Sequence, residues 1–267
     1  MNGEKIFDSI KNIEIIIHDH KEEIEKLDQE IGDGDHIFNI LRGLEEILKL
    51  KDVLIGESPE FIFKQLGMKI MTTVGGSSGA LFATLLLGMS KKYDPENSDL
   101  NNLSQMFNEG VQSMKIRGKA DIGEKTMLDV LIPVSKSLID NSNETNISKV
   151  AEKINFVAKE GMLSTKDIIA TKGRASFLGD RAKGHIDPGA RSSQLAIEAI
   201  ANQFINNGSI EKKDIISSIN KFMIEEKVKN KNVSDIIKTP KKSVIPRSEK
   251  QKEYVRALRQ NDIVISA

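Results

Sequence analysis

A chain of 267 residues is long enough to bury a complete hydrophobic core, as one large domain or as a domain with an appendage. Its 39 lysines and arginines balance 39 aspartates and glutamates, which gives no reason to expect nucleic acid or an acidic membrane as a partner. There is no cysteine, which excludes disulfides and thiolate metal sites, and no signal peptide or membrane-spanning run is evident. We therefore expect a cytoplasmic protein.

Apolar residues recur at helical spacing through most of the chain, and strand-like alternation is nearly absent. The pattern predicts helices over residues 4–27, 37–50, from Ser58-Pro59 onward, 80–89, and about 101–116, 124–139, 145–170 and 188–206. We predict an all-α fold, with a bundle of about eight helices over residues 1–210 and a C-terminal appendage over residues 211–267.

Glycine-rich segments interrupt the helical pattern at four places, and each runs into a helix. They read GDGDH (32–36), VGGSSGA (74–80), RGKADIGEKTMLD (117–129) and KGRASFLGDRAKGHIDPGARS (172–192). Backbone N–H groups and the positive end of the helix dipole are then available to an anion. Because up-and-down helices return to the same rim of a bundle, we expect these loops to converge on a phosphate-binding site.

Three aspartates, Asp28, Asp33 and Asp35, fall within eight residues at the first of these segments. Like charges at such short spacing repel one another unless a cation lies between them. The cluster is therefore either a solvated turn or a site for a hard metal ion. Magnesium prefers carboxylate oxygens and leaves positions for substrate phosphates, whereas the loop lacks the closing glutamate that a calcium-binding EF-hand needs.

Four stretches, LDQEIGDGDHIFN, TTVGGSSGALF, RGKADIGEKTMLDVLIPV and KGRASFLGDRAKGHIDPGA, resemble in order and spacing the nucleotide-binding L subunit or domain of dihydroxyacetone kinases. The resemblance covers about residues 3–207. It implies a closed barrel of eight antiparallel amphipathic helices, with the nucleotide held at one rim through two magnesium ions.

The same resemblance carries over site residues position by position. It implies magnesium ligands at Asp28, Asp33 and Asp35. It implies nucleotide contacts at His36, Ile37, Phe38, Asn39, Ser77, Ser78, Gly118, Met127, Arg174, Asp187, Pro188 and Gly189. The family usually has glycine where this chain has Ile37, so a strained backbone and altered phosphate geometry are expected if that position needs a positive φ.

By this resemblance the chain would hold Mg-ADP or Mg-ATP and pass a phosphoryl group to dihydroxyacetone on a separate K subunit. Residue 3 already falls in the first helix, so we expect the standalone form, as a monomer or a homodimer. In that form ADP is a bound coenzyme, rephosphorylated by a histidine on a phosphotransferase subunit. Two alternatives stay open: a non-catalytic nucleotide-binding module that regulates or binds other proteins, and an L-type kinase domain for another acceptor, such as a carrier-bound fatty acid.

The C-terminal appendage differs from the rest of the chain in charge. Residues 211–267 carry a net charge of +6, and the first 210 residues carry −6. Residues 238–267 resemble the segment that precedes the phosphate-binding loop of PhoH-like ATPases, but the chain stops before such a loop. We expect a truncated, loosely ordered segment without ATPase function; the alternative is a basic tail that docks on the acidic bundle or on a partner.

Overall fold

The computed structural model describes residues 1–206 together with two short antiparallel strands, β1 (Ile237–Lys238) and β2 (Ser243–Val244). The chain divides into two units, Met1–Ser209 and Ile210–Ala267. The described part of the first unit is helical, which confirms the all-α prediction for these residues. Apart from β1 and β2, the predicted PhoH-like segment lies outside the described residues.

Ten α-helices and one 3₁₀ segment occur between residues 1 and 206. Their bounds are α1 Gly3–Asp19, α2 Lys21–Ile31, α3 His36–Leu48, α4 Lys51–Leu54, α5 Pro59–Thr73, α6 Gly76–Met89, α7 Asp99–Gly118, α8 Leu128–Asp140, α9 Ile147–Ser164, the 3₁₀ segment Arg174–Ala182, and α10 Pro188–Asn206. None of the helices described has the length and apolar character that a membrane span requires.

The helix predicted over residues 4–27 is in fact two helices that meet at His20. The backbone of His20 leaves the helical region, and its Nδ1 lies 2.9 Å from the Ile16 carbonyl oxygen. A side chain that bonds to the preceding turn competes with the helix ladder and ends the helix there. The periodicity hides this break because Ile17 and Ile24, seven residues apart, still face the same core.

Helix α6 begins four residues earlier than predicted, inside its glycine-rich segment. Gly76 has φ +76°, and Gly79 lies so close to Val74 that a Cβ there would come within 2.7 Å of the Val74 carbonyl oxygen. Only residues without a side chain fit both positions. The early start places Ser77 and Ser78 in the first turn, where backbone N–H groups have no intrahelical partner. By contrast, the cap predicted for α5 is confirmed, since the Ser58 hydroxyl accepts the Phe61 N–H at 3.3 Å.

Eight helices follow one another around a ring. In contact order they are α1, α3, α5, α6, α7, α8, α9 and α10, and α10 returns to α1. Their apolar faces meet in one main core that includes Ile62, Leu66, Met106, Val111 and Val134. Helix α2 contacts α3, α10 and the 3₁₀ segment.

Alternate members of this ring begin in the four glycine-rich segments. These members are α3, α6, α8 and α10. Because helices joined by short loops run in opposite directions, alternate helices begin at the same end of a ring. The fold therefore brings the four segments to one rim.

Candidate functional site

The aspartate cluster lies where α2 ends and α3 begins. One carboxylate oxygen each from Asp28, Asp33 and Asp35 lies within 4.8 Å of the other two. Asp28 is only 4% exposed, while Asp33 and Asp35 face solvent. The backbone N–H of His36 donates to Asp28 Oδ2 at 3.0 Å and orients this buried carboxylate. Three converging oxygens, one held rigidly and two open to solvent, form a donor set that suits magnesium.

Gly32 shapes this cluster, although sequence reasoning assigned it no role. Its N–H donates to the Asp28 carbonyl oxygen at 2.6 Å, and a Cβ on Gly32 would overlap the Asp28 carboxylate. Gly34 has φ +76°, in the left-handed region that favours glycine. The glycines of GDGDH thus leave the space and the backbone turn that the three carboxylates need.

Gly32→Ala is expected to weaken magnesium-dependent nucleotide binding by about 10–100-fold, the usual effect of disturbing the support of a metal ligand. The added methyl group would push the Asp28 carboxylate away from Asp33 and Asp35. Calorimetric titration with ADP at fixed magnesium would measure the change. Gly56→Ala is the matched control, because a Cβ there would meet no described residue within 4 Å and its φ is not positive. Equal affinity in both variants would contradict the prediction.

His36 connects the start of α3 to the start of α10. Its Nε2 lies 3.0 Å from the Ser192 hydroxyl, which in turn donates to the Gly189 carbonyl oxygen at 3.1 Å. Burial lowers the pKa of His36, and the nearby carboxylates of Asp28 and Asp35 offset this only in part. The imidazole is therefore neutral near pH 7 and acts as a hydrogen-bonding group.

The condition under which strain is expected at Ile37, a positive φ, is not met. Ile37 is helical, and the only non-glycine residues with positive φ among those described are Lys119 and Lys125. Its side chain is 0% exposed and packs with Ile17, Ile24 and Leu195. Because that side chain faces the core, only the backbone N–H of Ile37 could reach a nucleotide.

Phe38 and Asn39 complete the first turn of α3. Phe38 is 47% exposed, and its ring lies 5.1 Å from Lys21 Nζ in a cation–π contact. Asn39 is buried, and its Nδ2 is the neighbour that a Cβ on Gly76 would meet at 3.7 Å. The first turns of α3 and α6 therefore adjoin, with Ser77 exposed and Ser78 half-buried beside them.

Met127 and the segment Asp187–Gly189 meet at the start of α10. Asp187 caps this helix, since its Oδ2 accepts the Ala190 N–H at 2.7 Å, and burial raises the pKa of its carboxyl to about 7. Pro188 takes the first helical position. Met127 is buried against Gly189, where a Cβ would come within 3.3 Å of its Cε. Gly118 is not joined to this group; it ends α7 beside Leu81 of α6.

Arg174 reaches the aspartate cluster from the 3₁₀ segment. Its Nη2 lies 3.0 Å from Asp33 Oδ2, and its side chain is 72% exposed. An exposed pair of this kind contributes little to stability and exchanges readily for another partner. The guanidinium is therefore close enough to the cluster to serve a phosphate bound there.

Lys125 and Asp129 are two buried polar residues of this rim that were not predicted from the sequence. Asp129 accepts the N–H groups of Gly123 at 2.6 Å and Thr126 at 2.7 Å. The spacing of Thr126 and Asp129 matches a capping box and could have revealed this role. No sequence signal marks Lys125, because a lysine in a polar loop is ordinarily exposed.

Comparison with known proteins gives a consistent set of relatives. The DAK2 domain model matches residues 30–202. The chain is 40% identical over 184 residues to the ADP-binding subunit DhaL of PEP-dependent dihydroxyacetone kinase 1 from Listeria innocua, a match of 69% of this chain and 88% of that protein. It is 39% identical over 177 residues to the corresponding ADP-binding subunit DhaL from Escherichia coli, covering 66% of this chain and 84% of the relative.

A similar fold occurs in the dihydroxyacetone kinase of C. freundii, solved in a native form and in complex with AMP-PNP and Mg²⁺. Each superposition has a TM-score of 0.60 at 24% sequence identity and covers 74% of this chain. The match spans only 34% of the native kinase chain, about a third of its length.

Proposed function

This chain belongs to the DAK2 domain family, as the resemblance predicted, and from that premise we propose that it is the nucleotide-binding subunit of a dihydroxyacetone kinase. It holds a magnesium-bound adenine nucleotide and passes a phosphoryl group to dihydroxyacetone on a separate K subunit. The observation that carries this proposal is the aspartate triad adjoining the first turns of α3, α6 and α10.

The residues of the triad fit magnesium in type and in placement. Asp28, Asp33 and Asp35 supply only oxygen donors, and two of the three are open to solvent. We assign these carboxylates two magnesium ions, the number that the family resemblance implies. Magnesium held by these carboxylates would neutralise phosphate charge.

The protein's own contribution is positioning and electrostatics, which is what phosphoryl transfer requires. Two helices offer backbone N–H groups that would donate to phosphate oxygens. These groups are in the first turn of α3, at Ile37 and Phe38, and in the first turn of α6, at Ser77 and Ser78. Arg174 would leave Asp33 for a phosphate. Such donors are fixed before the reaction and so stabilise charge that develops in the transition state.

In this proposal the adenine lies beside Met127 and Gly189, at the start of α10. Met127 and Gly189 offer an apolar contact, and Asp187 with Pro188 fixes the adjoining turn. Gly118 would line the same side from the end of α7, a role that stays a prediction.

Transfer needs partner proteins. The relatives are named as subunits of PEP-dependent kinases, so we propose a phosphotransferase subunit with a phosphorylated histidine as the donor.

Two apolar side chains are exposed at this rim. Phe177, in the 3₁₀ segment, is 84% exposed, and Ile122, in the loop before α8, is 55% exposed. The Thr171 hydroxyl donates to Glu124 at 2.8 Å and so joins the loop before the 3₁₀ segment to the loop before α8. These side chains suit contact with the K subunit.

The first experiment is to denature the purified protein before any nucleotide is added, then identify the released small molecules and measure metals. Stoichiometric ADP with about two magnesium ions per chain is expected. A protein that is empty and also fails to take up Mg-ADP would overturn the proposal. Reconstitution with a K subunit then separates the donors, since the proposed phosphoprotein should support turnover where ATP alone does not.

The two alternatives gain no specific support. Backbone strain at Ile37 would have favoured a non-catalytic module, but Ile37 is helical and its side chain is buried. The named relatives are dihydroxyacetone kinase subunits, which favours a three-carbon acceptor over a carrier-bound fatty acid.

A further inference from the structure

Lys125 is a buried lysine in the loop that joins α7 to α8. It is 1% exposed and has φ +59°, a backbone conformation that lysine rarely adopts. A buried ammonium is costly unless it is hydrogen-bonded, so its surroundings are informative. Its contacts extend beyond its own loop to the segments that follow α9 and precede α10.

The Lys125 ammonium bonds three backbone carbonyls. Nζ donates to Thr165 O at 2.5 Å, to His185 O at 2.5 Å and to Lys166 O at 3.4 Å. The three donors of an ammonium are thereby used, and charged donors form the stronger hydrogen bonds. Burial lowers the pKa of Lys125, and the nearby carboxyl groups of Asp187, Asp167 and Asp129, which favour its positive charge, offset this only in part.

These carbonyls belong to segments that are also bonded to each other. The Gly184 N–H donates to Lys166 O at 2.8 Å, and the Asp187 N–H donates to the Thr165 hydroxyl at 3.1 Å. The ammonium of Lys125 therefore sits within a clasp, made of residues 165–166 and 184–187, and ties it to the loop before α8.

The clasp adjoins residues of the proposed nucleotide site. Asp187 caps α10, and the first turn of α10 carries Ser192, whose hydroxyl lies 3.0 Å from His36 Nε2. Two residues after Lys125, Met127 packs against Gly189. Displacing the clasp would thus move the adenine side and the His36 contact together.

We propose that Lys125 is a positioning residue of the nucleotide site, which holds residues 184–189 against Met127 and through α10 sets the orientation of His36. The inference rests on the proposed nucleotide site and deepens it by adding a residue that need not touch the ligand. A lysine that only stabilised the fold would lack this coupling to His36.

Lys125→Met tests the proposal, because it keeps most of the buried length and removes the three hydrogen bonds. Affinity for Mg-ADP should fall by about tenfold, the lower end for loss of a supporting contact. Lys115→Met is the matched control: Lys115 pairs with Asp121 at 2.6 Å in the same region but takes no part in the clasp, so its affinity should not change. Ile62→Val, in the core of α5, shows what a loss of stability alone does.

A second readout does not depend on nucleotide. The chain has four histidines, so the imidazole Cε1–H signals can be resolved by NMR. In the nucleotide-free Lys125→Met variant the His36 signal should move, while those of His18 and His20 in the α1–α2 region stay in place. An unmoved His36 signal with wild-type affinity, or with a loss matched by Ile62→Val, would overturn the proposal.

Thr165 provides the test should Lys125→Met fail to fold. Thr165→Val removes the hydroxyl that accepts the Asp187 N–H, whereas Thr165→Ser keeps it. We expect Thr165→Val, but not Thr165→Ser, to lose affinity for Mg-ADP and to shift the His36 signal. If the two variants behaved alike, the proposal would be contradicted. If the wild type fails to bind Mg-ADP, the proposed function fails, while the His36 signal still decides the role of Lys125.

Discussion

Asp28→Asn is expected to lower phosphoryl transfer by about 10²–10³-fold, since charge stabilisation by a bound metal contributes several kcal/mol and each 1.36 kcal/mol is about tenfold in rate. Asp28 is the buried member of the triad, so solvent cannot replace its charge. Asparagine keeps an oxygen that can accept the His36 N–H, now 3.0 Å from Asp28 Oδ2. The fold should therefore persist while the metal site is lost.

The measurement is turnover with partner subunits across a magnesium titration, together with Mg-ADP affinity. Asp180→Asn is the matched control, because Asp180 is exposed in the 3₁₀ segment and, among the described residues, its carboxylate pairs only with Lys183, at 2.8 Å. If Asp28→Asn retained the magnesium dependence of the wild type, the aspartate triad would not be the metal site of the reaction.

Ile37→Gly is expected to destabilise the protein by about 3–6 kcal/mol. Removing a fully buried isoleucine leaves a cavity worth roughly 2–5 kcal/mol, and glycine within a helix costs about 1 kcal/mol more. The cavity would open between Ile17, Ile24 and Leu195. At roughly 2–4 °C per kcal/mol for a domain of this size, the melting temperature should fall by about 6–24 °C.

Thermal and urea unfolding would measure this loss. Ile15→Gly is the matched control, since Ile15 lies within α1 but is 49% exposed, and its replacement should cost at most about 1 kcal/mol. The glycine that the family usually carries should not raise the Mg-ADP affinity of folded protein. A gain in affinity would restore the idea that Ile37 distorts phosphate geometry.

The aspartate cluster could be predicted from sequence because it is local. Asp28, Asp33 and Asp35 are so close along the chain that a single turn brings their oxygens within 4.8 Å. The cap at Ser58 is predictable for the same reason, since its partner Phe61 is three residues away. The break at His20 is also local, but periodicity alone does not reveal it because Ile17 and Ile24 still face the same core.

Most helices, the glycine-rich loops that begin four of them, and the acidic triad could be predicted from local sequence, because each depends on neighbours a few residues apart. The packing of the helices sets which side chains face the core and which loops touch. Ile37 is buried because α3 packs on α1 and α2, where its side chain also meets Leu195 of α10. His36 meets Ser192 across 156 residues. Lys125 is buried because carbonyls 40 to 60 residues away surround its ammonium, a partnership set by chain packing and invisible in local pattern.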